Sequence, residues 1–470
     1  MTESDTTPEP ATGSQRGILL LLLVLSVVLW FGLLDLRDLR DPDEGRYAEI
    51  PREMVASGDW ITPRLNDFKY FEKPPLDYWG TAIAYKLFGV NQGASRLWGA
   101  SLGWLGILWT FWLGRRLFGE AAGLYAAAFL QSSLLYFAMG HMHTLDMGTS
   151  VFMAFGLGAL LLAQGRRDDA PFVRRWMLVA WGCLAAATLS KGPMGVILPA
   201  AAVTLYSLWQ RDFILWRHLH LGRGLLLYLA LTAPWFLLVS WRNPEFPEFF
   251  FIREHLLRYT TEIHSRNATV FYFLPVLLAG SLPLLARAVR VLIRPGFAWG
   301  PADAGSFAPL RLLWVYGVFI FLFFSFSHSK LIPYILPIFP PLALLVGRHL
   351  ACDARVSLRL DLWILTGILA LSAVILLWPT PFFANTRLSP AMIDHFRLAA
   401  LGGWGVLALG TYLAYRQRHH LQTSLVILVA ATLIAFPGIN AAYQTTSSVY
   451  SARGLAAAIA PFAAAGSPVY

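Results

Sequence analysis

The sequence predicts an all-α polytopic membrane protein, and two observations lead to that fold class. Apolar residues make up 57% of the 470 residues, charged residues only 14%, and the mean hydropathy is +0.55. Soluble domains carry about 25% charged residues. Apolar segments that approach the ~20 residues needed to cross a bilayer also recur along the chain. About thirteen transmembrane helices are expected, at residues 17–34, 96–113, 121–139, 145–164, 176–189, 194–209, 225–241, 271–286, 312–326, 332–346, 362–378, 398–415 and 421–436.

Composition divides the chain into three parts. Residues 1–16 form a polar segment that we expect to be a disordered cytoplasmic tail. The apolar run that follows has no small-residue cleavage motif behind it, so it is predicted to be a retained span rather than a signal peptide. Residues 17–436 are the predicted transmembrane domain, with a long outer loop at 35–95, and residues 437–470 form a short outer C-terminal segment.

The basic residues lie mainly in alternate loops. Arginine clusters follow every second predicted span, for example Arg115 and Arg116 after the second one. The positive-inside rule places those loops and the N-terminus in the cytoplasm. The net charge of +10 is therefore explained by membrane topology, and no nucleic-acid partner is expected. The two cysteines are too few for a disulfide framework.

The lysines all fall on the opposite, outer side of the predicted topology. They are Lys69, Lys73, Lys86, Lys191 and Lys330. Topology does not require this distribution, because lysine anchors a cytoplasmic loop as well as arginine does. We therefore expect the chemistry of the protein on its outer face.

Two helices are predicted within the loop at 35–95. The stretch DEGRYAEIPREMVASG places Tyr47, Ile50 and Met54 on one helical face and ends at Gly58. The stretch PPLDYWGTAIAYKLFG begins with prolines, which suit the first turn of a helix. Its aromatic residues favour the membrane–water interface. Both helices are therefore expected to lie across the outer surface.

Two aspartates are candidates for catalysis. Asp43, in RDPDEGRYAEI, is either a catalytic carboxylate or the N-cap of the following helix, and Asp41 competes for either role. Asp146, in HMHTLD, lies at the start of a predicted span, where a charge is costly without a partner. The alternative role for Asp146 is again an N-cap, favoured by the helix dipole.

The stretch YFEKPPLDYW places an acid and a base beside a rigid corner. Adjacent residues on an extended chain point in opposite directions, so Glu72 and Lys73 should meet different partners. The two prolines that follow fix the backbone and restrict Lys73 to extended conformations. Such rigidity suits side chains held ready in a cavity. The alternative is a pair of salt-bridging residues on the loop surface.

Three further motifs contribute candidate ligands. Lys191, in LSKGP, lies at a turn between two spans and either faces the site or extends outward to solvent. His255 and Arg258, in IREHLLRY, stand three apart and share a helical face, which suits phosphate or metal binding or a plain interfacial helix. Lys330 and Tyr334, in SHSKLIPYILP, lie at the mouth of a span interrupted by prolines.

The basic candidates would together form a cationic outer pocket that suits a phosphate. They are Lys73, Lys191, Arg258 and Lys330. There is no P-loop and no dinucleotide-binding glycine motif in the sequence, so a lipid-linked phosphate entering from the bilayer fits better than a nucleotide. Two other functions stay open: a lipid or sugar transporter, which would need charges near the midplane and internal repeats, and a non-catalytic membrane scaffold.

The long stretch DPDEGRYAEIPREMVASGDWITPRLNDFKYFEKPPLDYW resembles the first periplasmic loop of the aminoarabinose transferases and protein O-mannosyltransferases. These proteins are type C glycosyltransferases that use polyprenyl-phosphate sugars. The segments LSKGP, EHLLRY and SKLIPYILP follow in the order that this family shows, so the resemblance covers most of the chain. It implies an enzyme of the bacterial inner membrane with a periplasmic active site. The implied reaction moves a sugar, with inversion, from a polyprenyl phosphate to lipid A, a similar glycolipid or a protein.

The resemblance also implies roles for individual residues. Asp43 matches the catalytic carboxylate, Lys73 and Tyr334 match phosphate ligands, and Glu72 and His255 match ligands of a divalent, zinc-like metal. The family usually continues into a soluble periplasmic domain that supplies a further metal ligand, near the point where SARGLAAAIAPFAAAGSPVY ends this sequence.

Overall fold

The computed structural model describes residues 24, 26–257, 268–296, 306–353, 356–379, 382, 386 and 388–464. Over these residues the chain is almost wholly helical, which confirms the predicted fold class, and the strands form a single two-stranded hairpin. The first predicted span falls partly outside the described residues, and its helix runs to residue 32.

The predicted outer loop contains both expected helices. Helix α1 (Asp43–Ser57) ends at Gly58, whose φ of 74° a glycine adopts without strain. Helix α2 (Leu76–Phe88) begins directly after the two prolines. The position of these helices relative to a bilayer stays a prediction.

A short hairpin between α1 and α2 was not predicted. Strands β1 (Arg64–Leu65) and β2 (Phe68–Lys69) pair antiparallel. The two residues between them, Asn66 and Asp67, have φ values of 53° and 65°. Positive φ at both positions is the geometry of a type I′ hairpin turn, which Asn and Asp tolerate better than most residues.

The other helices form one bundle. In chain order they are α3 (Gln92–Phe118), α4 (Glu120–Ser132), α5 (Leu134–Gly140), α6 (Asp146–Gln164), α7 (Ala170–Lys191), α8 (Met194–Gln210), α9 (Ile214–Arg217), α10 (Leu221–Arg242), α11 (Phe273–Gly280), α12 (Leu285–Ile293), α13 (Pro309–Phe326), α14 (Phe339–Cys352), α15 (Arg359–Leu377), α16 (Pro390–Arg416), α17 (Leu421–Gln444), α18 (Ser447–Tyr450) and α19 (Arg453–Ala464). A π-helix (Glu248–Leu257) and two 3-10 helices (Val270–Tyr272 and Ile332–Ile338) complete the order.

The described residues contain eight helices that are long and apolar enough to cross a bilayer. Helices α4 and α5 make a ninth if they count as one span, although the chain bends by 66° between them. The chain is therefore a multi-span membrane protein. The described residues do not establish the predicted total of about thirteen, because several predicted spans coincide with shorter or broken helices.

Several predicted spans differ from the observed helices. The span at 271–286 is broken, since α11 ends at Gly280 and α12 begins only after Pro283, which lacks the N–H that would continue the helix. The span at 332–346 opens as the 3-10 helix that contains Pro333 and Pro337. Helix α17 runs through Pro437 to Gln444, beyond the predicted end at 436.

Two buried polar side chains inside the bundle donate to neighbouring backbone. The indole of Trp30, which is 1% exposed, donates to Ala100 O at 2.8 Å, and the hydroxyl of buried Tyr136 donates to Gly103 O at 2.9 Å. Both acceptors lie on α3. These bonds fasten the first span and α5 to α3, because a polar group without a partner would be costly in this apolar interior.

A buried carboxylate joins the outer loop to the bundle. Glu44, in the first turn of α1, is 1% exposed and accepts from Arg37 at 2.5 and 3.0 Å and from Arg96 at 2.9 and 3.3 Å. It also accepts from the backbone N–H of His143 at 2.9 Å. Arg96 donates in addition to Leu34 O at 2.7 Å. One carboxylate therefore connects α1, α3, the end of the first span and the segment before α6.

The charge on Glu44 is maintained by its two arginines. Burial by itself would raise the pKa of this carboxyl, but the guanidinium groups of Arg96 and Arg37 outweigh burial and lower the pKa to about 2. A carboxyl with a lowered folded-state pKa stabilises the fold above its unfolded-state pKa. That stability is lost as the pH falls through the folded-state value.

We expect Glu44→Gln to destabilise the protein by about 3–5 kcal/mol, because it leaves two buried guanidinium groups without their counter-charge. Glu49→Gln, on the same helix, is the matched control: its carboxylate is partly exposed and pairs with exposed Arg52 at 2.6 Å, so its loss should cost about 0.5 kcal/mol or less. Thermal unfolding of the two variants in detergent measures the difference. Equal transition temperatures would contradict the assigned role of Glu44.

Candidate active site

The Pro-Pro corner holds Lys73 against a carboxylate from a distant helix. The ammonium Nζ lies 2.6 Å from Glu254 Oε1, on the π-helix, and 2.9 Å from Glu72 O. The side chains of Lys73 and Glu254 are 9% and 5% exposed. Lys73 is therefore a buried, paired cation, and the alternative of a surface salt-bridge residue is wrong.

An aromatic cluster holds the π-helix against this corner. A buried group joins the corner, α10 and the start of the π-helix. Its members are Phe71, Trp235, Val239, Phe246 and Phe250. The rings of Phe71 and Phe246 meet edge to face with centroids 5.4 Å apart, a favoured aromatic geometry. The cluster fixes the distance between the two chain segments that carry Lys73 and Glu254.

Glu72 meets different partners from those of Lys73, as the alternation of side chains along an extended chain predicts. Its side chain is 33% exposed and its Oε2 lies 4.0 Å from Arg46 Nη1. Arg46 also donates to the Tyr70 hydroxyl at 3.3 Å. The Glu72 carboxylate thus lies beside Arg46 and Tyr70, next to the half-buried face of α1.

Asp146, Lys191 and Tyr334 meet, although they come from three separate elements. Asp146 is the first residue of α6, and Lys191 is the last residue of α7. The Lys191 ammonium donates to Asp146 Oδ1 and lies 4.9 Å from the centroid of the Tyr334 ring. The pairing of Lys191 with Asp146 rules out the alternative in which the Lys191 side chain extends outward to solvent. The N-cap alternative for Asp146 is also wrong, because the N-cap is Leu145.

Asp43 is exposed at the start of α1. The N-cap of that helix is Pro42, without a side-chain hydrogen bond, so the N-cap alternative is wrong for Asp43 too. Among the residues that the structure describes, no hydrogen bond or ion pair involves the Asp43 carboxylate. It is therefore an accessible acid at the helix N-terminus, where the dipole favours a negative charge.

Three tyrosines, Tyr47, Tyr70 and Tyr78, lie near the predicted acids. The rings of Tyr47 and Tyr78 have centroids 6.4 Å apart. Burial raises the pKa of Tyr47, and the nearby Tyr70, Asp43 and Asp146 raise it further. Since a charge acts on a pKa only over a short range in such a site, Asp43 and Asp146 both lie close to Tyr47.

The remaining predicted ligands are less well defined. Lys330 is buried and donates to Ser327 O, at the end of α13. His255 lies in the π-helix, but its side chain is outside the described residues, and so is the whole of Arg258. The phosphate role of Lys330 and the roles of His255 and Arg258 stay predictions.

The predicted metal site stays a prediction as well. No group of three His, Cys, Asp or Glu side chains stands close enough to hold a metal within the described part of the chain. Glu72, the one predicted ligand whose side chain is described, lies beside the Arg46 guanidinium, which competes with a cation for the carboxylate. The described donors by themselves therefore do not form a metal site.

Sequence reasoning missed two of the acids that pair with buried cations, Glu254 and Glu44. Glu254 directly precedes His255 in IREHLLRY and was overlooked in favour of the histidine. Glu44 follows Asp43, and its partner Arg96 begins a predicted span, where an arginine indicates a buried counter-charge. Asp77, four residues after Lys73, was also missed. It is 3% exposed and lies close to Asp146 and Lys191.

Comparisons with known proteins agree with this architecture. Residues 72–238 match the family of dolichyl-phosphate-mannose-protein mannosyltransferases. The undecaprenyl phosphate-alpha-4-amino-4-deoxy-L-arabinose arabinosyl transferase of Erwinia tasmaniensis is 32% identical over 424 residues, which cover 83% of this chain and 75% of that protein. The corresponding transferase of Edwardsiella ictaluri is 30% identical and covers 88% of this chain and 75% of its own length.

A solved structure has the same fold at higher identity. The crystal structure of ArnT from Cupriavidus metallidurans bound to undecaprenyl phosphate matches with a TM-score of 0.84 at 36% identity, over 95% of this chain and 80% of that one. Its apo form matches with a TM-score of 0.83. The chain therefore belongs to the aminoarabinose transferase family of glycosyltransferases and has the type C glycosyltransferase fold.

Proposed function

We propose that this protein transfers 4-amino-4-deoxy-L-arabinose from undecaprenyl phosphate to lipid A, at the periplasmic face of the bacterial inner membrane. The donor follows from the relatives, which are named as undecaprenyl phosphate-aminoarabinose transferases, and from the related structure with bound undecaprenyl phosphate.

The observation that carries this proposal is the convergence of Asp146, Lys191 and Tyr334 beside the Pro-Pro corner. Helix α2, which begins just after Lys73, packs against α7, which ends at Lys191. Asp77, four residues after Lys73, also lies close to Lys191, so both lysines lie in one region, each paired with a carboxylate. Preorganised cations in a water-poor site stabilise a developing negative charge far better than the same groups in water.

The proposed reaction is a single displacement at the anomeric carbon. A bond forms between the acceptor oxygen and that carbon, while the bond from the carbon to the donor phosphate breaks. The leaving group is undecaprenyl phosphate, which departs with the bonding electron pair and gains negative charge. Lys73 and Lys191 stabilise this charge, and Tyr334 positions the phosphate beside Lys191.

Asp43 acts on the other side of the reacting carbon. A lipid A phosphate arrives already ionised, so it needs no general base to remove a proton. The accessible carboxylate of Asp43 orients the acceptor or stabilises the cationic sugar in the transition state. If the acceptor is a hydroxyl group instead, Asp43 takes its proton.

The transporter alternative fits less well. Transporters of this kind bind their substrate near the bilayer midplane between repeated halves. The Asp146–Lys191 pair lies instead at the ends of two helices. The relatives that align with most of the chain are transferases.

Lys191→Gln should lower the rate of sugar transfer about 100-fold or more, because it removes a cation that acts on the leaving phosphate. Lys69→Gln is the control: this lysine pairs at the surface with Glu245 at 2.6 Å and is 40% exposed. Labelled undecaprenyl phosphate-aminoarabinose and lipid A are incubated with membranes that contain each variant at matched expression. Transfer by the Lys191 variant at the wild-type rate would refute its role, and no transfer by wild type would refute the proposed function.

Lys73→Gln alone should destabilise the protein by about 3–5 kcal/mol, because it leaves the buried Glu254 carboxylate without its ammonium. The double variant Lys73→Gln/Glu254→Gln should regain much of that stability but should stay largely inactive, since it lacks one of the two cations that stabilise the leaving phosphate. Thermal unfolding and sugar transfer are measured on both variants. Activity in the double variant would show that Lys73 serves only the fold.

Asp43→Asn should abolish most transfer without altering the unfolding temperature, since this exposed carboxylate has no partner among the described residues. Asp41→Asn, two residues earlier and equally exposed, is the matched control and should keep wild-type activity. Initial rates of transfer to lipid A and melting curves decide the comparison. Equal rates for the two variants would remove Asp43 from the mechanism.

A further inference from the structure

A buried acid, Asp77, lies close to the Asp146–Lys191 pair. Asp77, in the first turn of α2, is 3% exposed, and its Oδ1 accepts from the indole of Trp98 at 3.1 Å. It packs against the first turn of α6, where a Cβ added to Gly148 would come within 2.7 Å of Asp77 Oδ1. The carboxyl group is thus enclosed by α2, α3 and α6.

The end of α7 lies close to this carboxyl group. The Ser190 hydroxyl lies close enough to Asp77 to act on its ionisation, and Ser190 directly precedes Lys191. Neither Asp77 Oδ2 nor Ser190 Oγ, both buried, has a hydrogen-bond partner of good geometry among the described residues. A proton on Oδ2 would satisfy both atoms at once, because the acid would donate to the hydroxyl.

The electrostatic surroundings keep that proton in place. Burial raises the pKa of Asp77 to about 8, and the nearby Asp146 carboxylate adds to the increase, whereas Ser190, Trp98 and Lys191 reduce it. The charged groups that face Asp77 from the helices packed against it are Asp146 on α6 and Lys191 on α7. On its own helix the neighbouring titratable group is Tyr78. Asp77 is therefore a neutral acid at neutral pH.

We propose that Asp77 is a positioning residue, whose O–H donates to Ser190 Oγ and holds Lys191 in place against Asp146. The role of that pair rests on the function proposed above. Asp77 is too deeply buried to touch a substrate, so it acts through Lys191 rather than on the reacting atoms. Its neutral form also leaves Asp146 as the only anion beside the Lys191 ammonium among the described residues.

Asp77→Asn and Asp77→Ala separate this role from that of a catalytic base. Asparagine has the shape of the neutral acid and a side-chain N–H₂ donor in the place of the O–H, so Asp77→Asn should keep transfer within about threefold of wild type. Asp77→Ala removes the donor and should lower kcat at least tenfold while KM for the donor lipid changes less. An Asn variant as inactive as the Ala variant would overturn the proposal.

The pH profile supplies a readout that a merely structural residue would not move. Wild-type activity should fall as the pH rises above about 8, because Asp77 ionises beside Asp146 and loses its donor. Asp77→Asn cannot ionise, so its profile should lack this decline. A decline of equal size in both proteins would overturn the proposal even if the Ala variant fails to fold.

Thermal unfolding tests the protonation of Asp77 without any activity assay. A carboxyl with a raised pKa binds more protons in the folded state, so its contribution to stability decreases as the pH rises towards about 8. The Tm of Asp77→Asn minus that of wild type should therefore increase between pH 5 and pH 8. A constant difference would overturn the proposal. An inactive wild type would refute the proposed function, whereas an inactive Asn variant beside an active wild type would refute only this inference.

Discussion

The outer region of this protein depends on the buried contact of Glu44 with Arg37 and Arg96. Two guanidinium groups inside an apolar bundle would be very costly alone, and one carboxylate that accepts from both makes their burial possible. Because the three residues come from α1, from the end of the first span and from α3, their contact also fixes where α1 lies. Asp43, the adjacent residue, is placed by the same contact. The accessible acid of the site is thus positioned by a buried one.

The same physical solution recurs at several cations in the interior. Lys73 pairs with Glu254, Lys191 with Asp146, and Arg287 with Asp361 at 3.0 Å. Each carboxylate offsets part of the cost of burying its partner's charge. In the proposed reaction the carboxylates already place negative charge beside the lysines, and the donor phosphate would take over part of that role. The lysines therefore need little rearrangement when the phosphate binds.

The sequence predicted the helices and the identity of most site residues, because both leave local signals. Apolar periodicity indicates a helix, and FEKPP marks a rigid corner within five residues. The partners of the charged residues leave no such signal: Glu254 lies 181 residues from Lys73, and the helices between them decide whether the two meet. The helix breaks at Ser133 and Pro283 were not predicted for a related reason. An apolar segment shows the same hydropathy whether its helix is straight or bent.

Pairing also separates the roles of the acids. Glu44, Asp146 and Glu254 are each committed to a cation, and Asp77 is neutral at physiological pH, so none of the four is available to a second substrate. Among the acids near the tyrosine group of α1 and α2, Asp43 is exposed and has no described partner. An acceptor that approaches from the aqueous side would therefore meet this carboxylate first. The division follows from burial: the acids inside the bundle pair with cations, and in the proposed reaction the exposed acid is left for the acceptor.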